Sequence, residues 1–119
     1  MEQESDLNEV KKYQCVIAKA SLSRHDFHEF FKVCLKNIAL EEASSEICYQ
    51  LGEYYYLALD YKEASLWYYN AAFETKPELN IHYGGDYPLT RLADCYHKLG
   101  DTAQEEHYRQ LASEWKIEG

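Results

Sequence analysis

The chain has 119 residues, 46% hydrophobic and 28% charged, which suits one compact domain and is too apolar for disorder. A formal net charge of -9 with no basic patch argues against nucleic acid and against an anionic membrane surface as partners, and favours solubility or a basic partner. Five Gly and two Pro are too few for an all-β sandwich, so helices are expected throughout.

Residues 7–20 carry Leu7, Val10, Tyr13 and Ile17 at a period near 3.6, which predicts a first amphipathic helix. Ser23 and Asp26 have capping-box spacing. A second stripe follows in Phe27, Phe30, Phe31, Cys34, Leu35 and Ile38. The third segment, about 45–58, carries Ile47, Cys48, Leu51, Tyr55 and Ala58. Asp60 stands at a cap position with Glu63 three residues on. The fourth runs through Tyr61, Ala64, Tyr68, Ala71 and Thr75, and Pro77 lies just beyond it. Residues 77–87, with Pro77, Gly84 and Gly85, read as a loop. Pro88 suits the first turn of a fifth helix carrying Leu89, Leu92, Ala93, Tyr96 and Leu99, which Gly100 can end in the left-handed conformation. Asp101 or Thr102 caps a sixth, with Tyr108, Leu111, Ala112 and Trp115. Short connections fold neighbouring helices antiparallel, giving one domain over 1–119 with hairpins at about 6–40, 44–76 and 88–116. A lone hairpin cannot bury its apolar face, so the three are expected to stack.

The segment ICYQLGEYYYLALDYKEASLWYYNAAFETKP, residues 47–77, resembles one tetratricopeptide repeat. Gly52, Ala64 and Ala71 match that family's small positions, where helices touch closely. Leu51, Tyr55, Tyr61 and Tyr68 match its large ones. Pro77 falls one residue later than the family's pattern, and Cys48 replaces a bulky residue. LADCYHKLGD, residues 92–101, fits a second first-helix-and-turn through Leu92, Ala93, Tyr96, Leu99, Gly100 and Asp101. Beyond it Glu105 stands where a small residue is expected, although Ala112 fits, as a polar terminal cap would show. Residues 7–40 share the hairpin pattern without the family's residues. The resemblance implies an all-α fold, three stacked antiparallel hairpins in a right-handed α-solenoid. The runs WYYNAAFET, NIHYGGDYPL and LADCYHKLGD, with Trp115, also resemble helical-repeat segments attached to bacterial family-2 glycosyltransferases. That resemblance implies an accessory part of a larger enzyme, aiding oligomerisation or acceptor placement, with the sugar-transfer site elsewhere.

Twelve tyrosines are more than one buried stripe per helix can hold, and Tyr54, Tyr55 and Tyr56 are consecutive. Some rings must therefore face another surface. By analogy with the tetratricopeptide family, Glu46, Tyr49, Glu53 and Tyr56 are expected to line a concave groove from the middle hairpin. Tyr87, Arg91, Asp94 and His97 would follow from the third. Glu46, Glu53 and Asp94 would give that groove a negative field.

Chemistry-bearing patterns are sparse. Cys15, Cys34, Cys48 and Cys95 form no CxxC pair and sit in or beside apolar stripes, so buried thiols are expected rather than metal ligands or disulfides. His25 and His28 sit at a helix start, where polar residues cap and solvate, and no metal site is expected there. His82, Asp86 and the Gly84–Gly85 pair share the loop; a glycine pair before a helix can cradle phosphate, but Pro88 removes a donor and a structural turn is favoured. His97 and His107 fit surface or interhelical packing. With no nucleophile elbow and no activated cysteine, no enzyme activity and no cofactor are expected. The expected role is a protein-interaction or scaffold domain binding a protein or peptide, with a homodimer through the convex face or a stack end as a further option. No run approaches the ~18 apolar residues of a membrane span, and MEQESDLNEV has no apolar signal-peptide core, so no membrane insertion and a cytoplasmic location are expected.

Overall fold

A computed structural model of the chain describes residues 2–116, with side chains over 7–116. Six α-helices run α1 Glu2–Ser23, α2 Phe27–Ile38, α3 Ser45–Leu57, α4 Tyr61–Tyr69, α5 Asp86–Leu99 and α6 Thr102–Glu114. No strand occurs among the described residues, and no helix there is long and apolar enough to cross a membrane. Pairs α1–α2, α3–α4 and α5–α6 fold back on each other through short turns, while α4 packs broadly on α5 and α1 on α3. The molecule measures 47 × 37 × 21 Å. Its shortest extent equals two helix diameters of about 10 Å, so it is two helix layers thick.

The turns inside the three pairs are built alike. In each, a left-handed residue ends one helix: His25 at φ 61, Leu59 at φ 66 and Gly100 at φ 79. The next residue closes the helix end, with Asp26 N donating to Ser21 O, Asp60 N to Tyr55 O and Asp101 N to Tyr96 O. The same aspartate then caps the following helix, its carboxylate accepting from Glu29, Glu63 and Gln104 N. One residue thus satisfies the end of one helix and the start of the next. Asp60 and Asp101 take the cap positions their spacing predicts. At the first turn Asp26 is itself the cap, whereas Ser23 is the last residue of α1, which corrects the capping-box reading.

The core has two parts. Cys15, Ala18, Leu22, Phe30, Val33, Cys34, Ile47 and Leu51 fill the space between α1, α2 and α3. Ala64, Tyr68, Leu89, Leu92, Ala93, Cys95 and Tyr108 fill that between α4, α5 and α6. In α1 the buried face is rotated from the predicted stripe. Lys11, Gln14, Cys15, Ala18 and Leu22 point inward, and Val10 and Tyr13 are exposed. The inward polar positions serve a buried network: Asn37 Nδ2 donates to Gln14 Oε1 at 2.9 Å and Ser44 Oγ at 3.1 Å, while Ser44 N donates to Asn37 Oδ1 at 2.9 Å. Hydrogen bonding of this kind decides the rotation, because a buried Asn left unpaired costs more than two half-exposed apolar side chains.

After α4 the chain continues as a π turn, Asn70–Glu74. Ser45 Oγ donates to the carbonyl of Ala71 at 3.0 Å and shares a 2.9 Å contact with Thr75 Oγ1, tying that turn to the start of α3. The expected loop 77–87 is largely ordered. It holds a 3-10 turn, Ile81–Gly84, and its last two residues, Asp86 and Tyr87, already belong to α5, with Pro88 in that first turn.

Candidate functional site

The residues expected to line one groove do not all meet the same neighbour. Tyr49, Glu53 and Tyr56 recur every three or four positions and face α5. There Glu53 accepts from the Tyr68 hydroxyl at 2.7 Å and from Arg91 through Nε at 2.9 Å and Nη2 at 3.3 Å. Arg91 also reaches Asp94 at 3.4 Å and lies 4.9 Å from the centre of the Tyr56 ring. Asp94 pairs with Arg109 of α6 at 3.0 Å, and Arg109 with Glu105 at 3.3 Å. The chain of contacts spans four helices. Partial burial opposes the Arg91 charge, but Glu53 outweighs it and the guanidinium pKa is raised.

Beside this network lies an aromatic cluster. Tyr49 packs on Tyr68 at 5.4 Å and Tyr83 at 5.1 Å between ring centres, and Tyr83 meets Tyr87 at 5.2 Å. His82 stacks on Tyr87 at 5.1 Å, leans on Trp115 at 5.3 Å, and its Nδ1 lies 2.7 Å from Asp86 Oδ1. Burial, then the Glu53 charge, pushes the Tyr49 and Tyr68 hydroxyls up. The Gly84–Gly85 pair serves packing. A Cβ on Gly85 would lie 2.1 Å from the Trp115 indole, and one on Gly84 would lie 3.0 Å from the Pro77 ring. So His82 and Gly85 meet at Trp115, Asp86 joins them through His82, and Gly84 packs on Pro77.

Two expected groove residues are elsewhere. His97 is exposed and pairs with Glu105 at 3.2 Å. Glu46 is buried, 3% exposed, two turns nearer the start of α3, where it meets residues 78–80 and not α5. Its carboxylate accepts from the backbone N–H groups of Glu78, Leu79 and Asn80 at 2.7–3.1 Å. The expected negative field is reduced but not removed: Glu53, Asp94 and Glu105 share Arg91 and Arg109, and the amides that hold Glu46 are neutral. Glu46→Gln replaces one acceptor oxygen with a donor facing those amides. It is expected to cost about 2 kcal/mol in chemical denaturation and to speed proteolytic nicking within 77–85. Nicking at the wild-type rate would mean the carboxylate does not hold the segment.

The repeat positions Leu51, Gly52, Ala64, Tyr68, Ala71 and Ala93 are buried, and Tyr55 and Tyr96 half-buried against the second core cluster. Sequence reasoning did not single out Tyr83, Trp115 or Arg109 for the site. Only Arg109 carried a local signal, four residues after Glu105. Comparison with known protein families, curated proteins and solved structures finds no match to this chain.

Proposed function

We propose that this chain is a non-catalytic binding module of tetratricopeptide-repeat type, holding a protein or peptide on the face shared by α3 and α5. The observation that carries the reading is the half-exposed aromatic and ionic face just described. Tyr56 under Arg91 and Tyr87 under His82 are rings held in place before any partner arrives, and fixed aromatic area is what interfaces use at low entropic cost. The repeat type is supported by the recurring turns. Asp26 and Asp60 are 34 residues apart, the length of a tetratricopeptide repeat, and Asp60 and Asp101 are 41 apart, the longer interval being the one that holds the 3-10 turn Ile81–Gly84.

Glu53, Asp94 and Glu105 share only Arg91 and Arg109, so this face keeps a negative charge and binding of a basic partner should weaken as salt rises. The test is photo-crosslinking in the native host. Tyr87→p-benzoylphenylalanine should capture a partner protein, and Leu66→p-benzoylphenylalanine, on exposed α4 surface, should not. Tyr56→Ala should reduce capture from position 87 several-fold while the melting temperature stays within a few degrees. Capture from position 66 alone would overturn the placement.

A further inference from the structure

On the other flank of α3 lies an open trough of about 530 Å³. One wall is α1 from Cys15 to Ser23, the other is Leu79 to Tyr83, and Glu46 and Gln50 form the floor. Val16 is 53% and Leu79 52% exposed, so both walls present aliphatic surface. Gln50 is only 6% exposed, yet its side-chain amide has no hydrogen-bond partner among the described residues. The amide opens into the trough that it lines. A ligand that displaces water from this amide must offer it both an acceptor and a donor.

The charges on the trough select the ligand further. The two charged residues that line it, Glu46 and Lys19, are of opposite sign and leave the trough without net charge. Lys19 stands on α1 with a long flexible stem that reaches solvent. A neutral ligand therefore fits better than an ion. Along α1 the trough runs from Cys15 to Ser23, about 12 Å, the span of roughly four residues of extended chain. One peptide unit offers an N–H and a C=O that match the Gln50 amide.

We propose that this trough takes an extended, uncharged peptide segment, with one aliphatic side chain seated between Val16 and Leu79 and one backbone amide paired with Gln50. The proposal rests on reading the chain as a binding module, but uses the flank of α3 away from Tyr56 and Arg91.

The test is a two-dimensional amide NMR titration of the whole protein with the blocked pentapeptide acetyl-Ser-Leu-Ser-Leu-Ser-amide. Saturable shifts are expected at Val16, Ala20, Leu79, Tyr83 and the Gln50 side-chain amide. Gln50→Leu, of similar volume, should weaken binding about tenfold, the loss of one good polar pair, with the melt unchanged or raised. Pentapeptides with Lys or Glu in place of Leu should not bind. No saturable shift at millimolar peptide, equal affinity for Gln50→Leu, or equal binding of the charged peptides would overturn the proposal. So would acetyl-leucine methylamide binding as tightly as the pentapeptide, which would make the trough a small-molecule pocket. Shifts at Tyr56, Arg91 and Tyr87 instead would remove the trough and leave the α3–α5 face standing.

Discussion

Raising the pH above 9 is expected to unfold this protein, with a midpoint between about pH 10 and 11. Cys15, Cys34, Cys48 and Cys95 are all buried, at most 3% exposed. Burial in each case pushes the thiol up from 9.0, to about 12 for Cys15, Cys34 and Cys95 and about 11 for Cys48. Below pH 9 the folded and unfolded chains hold these protons equally, and the thiols do not affect stability. Between 9 and about 11 the unfolded chain releases protons that the folded chain keeps. The unfolded state then binds fewer protons, so stability falls as pH rises. Each thiol contributes about 1.4 kcal/mol per pH unit. Four together remove roughly 8 kcal/mol by pH 10.5, against a typical total of about 5–15 kcal/mol. The buried hydroxyls of Tyr49 and Tyr68, also raised by burial, act in the same direction at still higher pH. Far-ultraviolet dichroism followed from pH 7 to 12 checks this. Cys34→Ala should make the transition less steep by about one proton, and helix intact at pH 11.5 would contradict the account.

The largest single-site effect at neutral pH is expected at Gly52. A Cβ there would lie 2.6 Å from the Cδ1 and Cε1 atoms of Tyr68, closer than any relaxed contact. Tyr68 has little freedom to retreat. It is fully buried, its hydroxyl is held at 2.7 Å by Glu53, and its ring packs on Tyr49. Gly52→Ala should therefore cost about 2–3 kcal/mol and lower the melting temperature by roughly 10 °C, although alanine favours the helix by about 1 kcal/mol. Tyr68→Leu introduced into the same variant should be less damaging than in the wild type, because the two side chains compete for one volume. A Gly52→Ala variant that melts higher than the wild type would show that the helices do not approach so closely.

How much could be read before folding depends on the range of the interaction. Asp60, Asp101 and Gly100 were legible because a cap or a left-handed helix end is settled within about five residues. The first turn was misread because His25 takes the left-handed conformation without being glycine, and nothing local announces that. The buried stripes of α3, α4 and α5 were plain from their period, but that of α1 was not. Its rotation answers to Asn37 and Ser44, 23 and 30 residues beyond Gln14.

The α3 spacing of 46, 49, 53 and 56 placed four side chains on one helix face. It did not reveal that the face would be divided between two neighbours. Glu46 went to the backbone of residues 78–80 and Glu53 to Arg91, contacts 32 to 38 residues long that no helical period encodes. By itself, then, the sequence determined an all-helical chain, its capped turns and its small-residue contacts, because those follow from local hydrogen bonds and side-chain volume. Tertiary structure alone decided the partner of each charge, the course of residues 77–85 over Glu46 and Trp115, and the opening of the Gln50 trough. Each of these depends on which distant groups burial brings within reach.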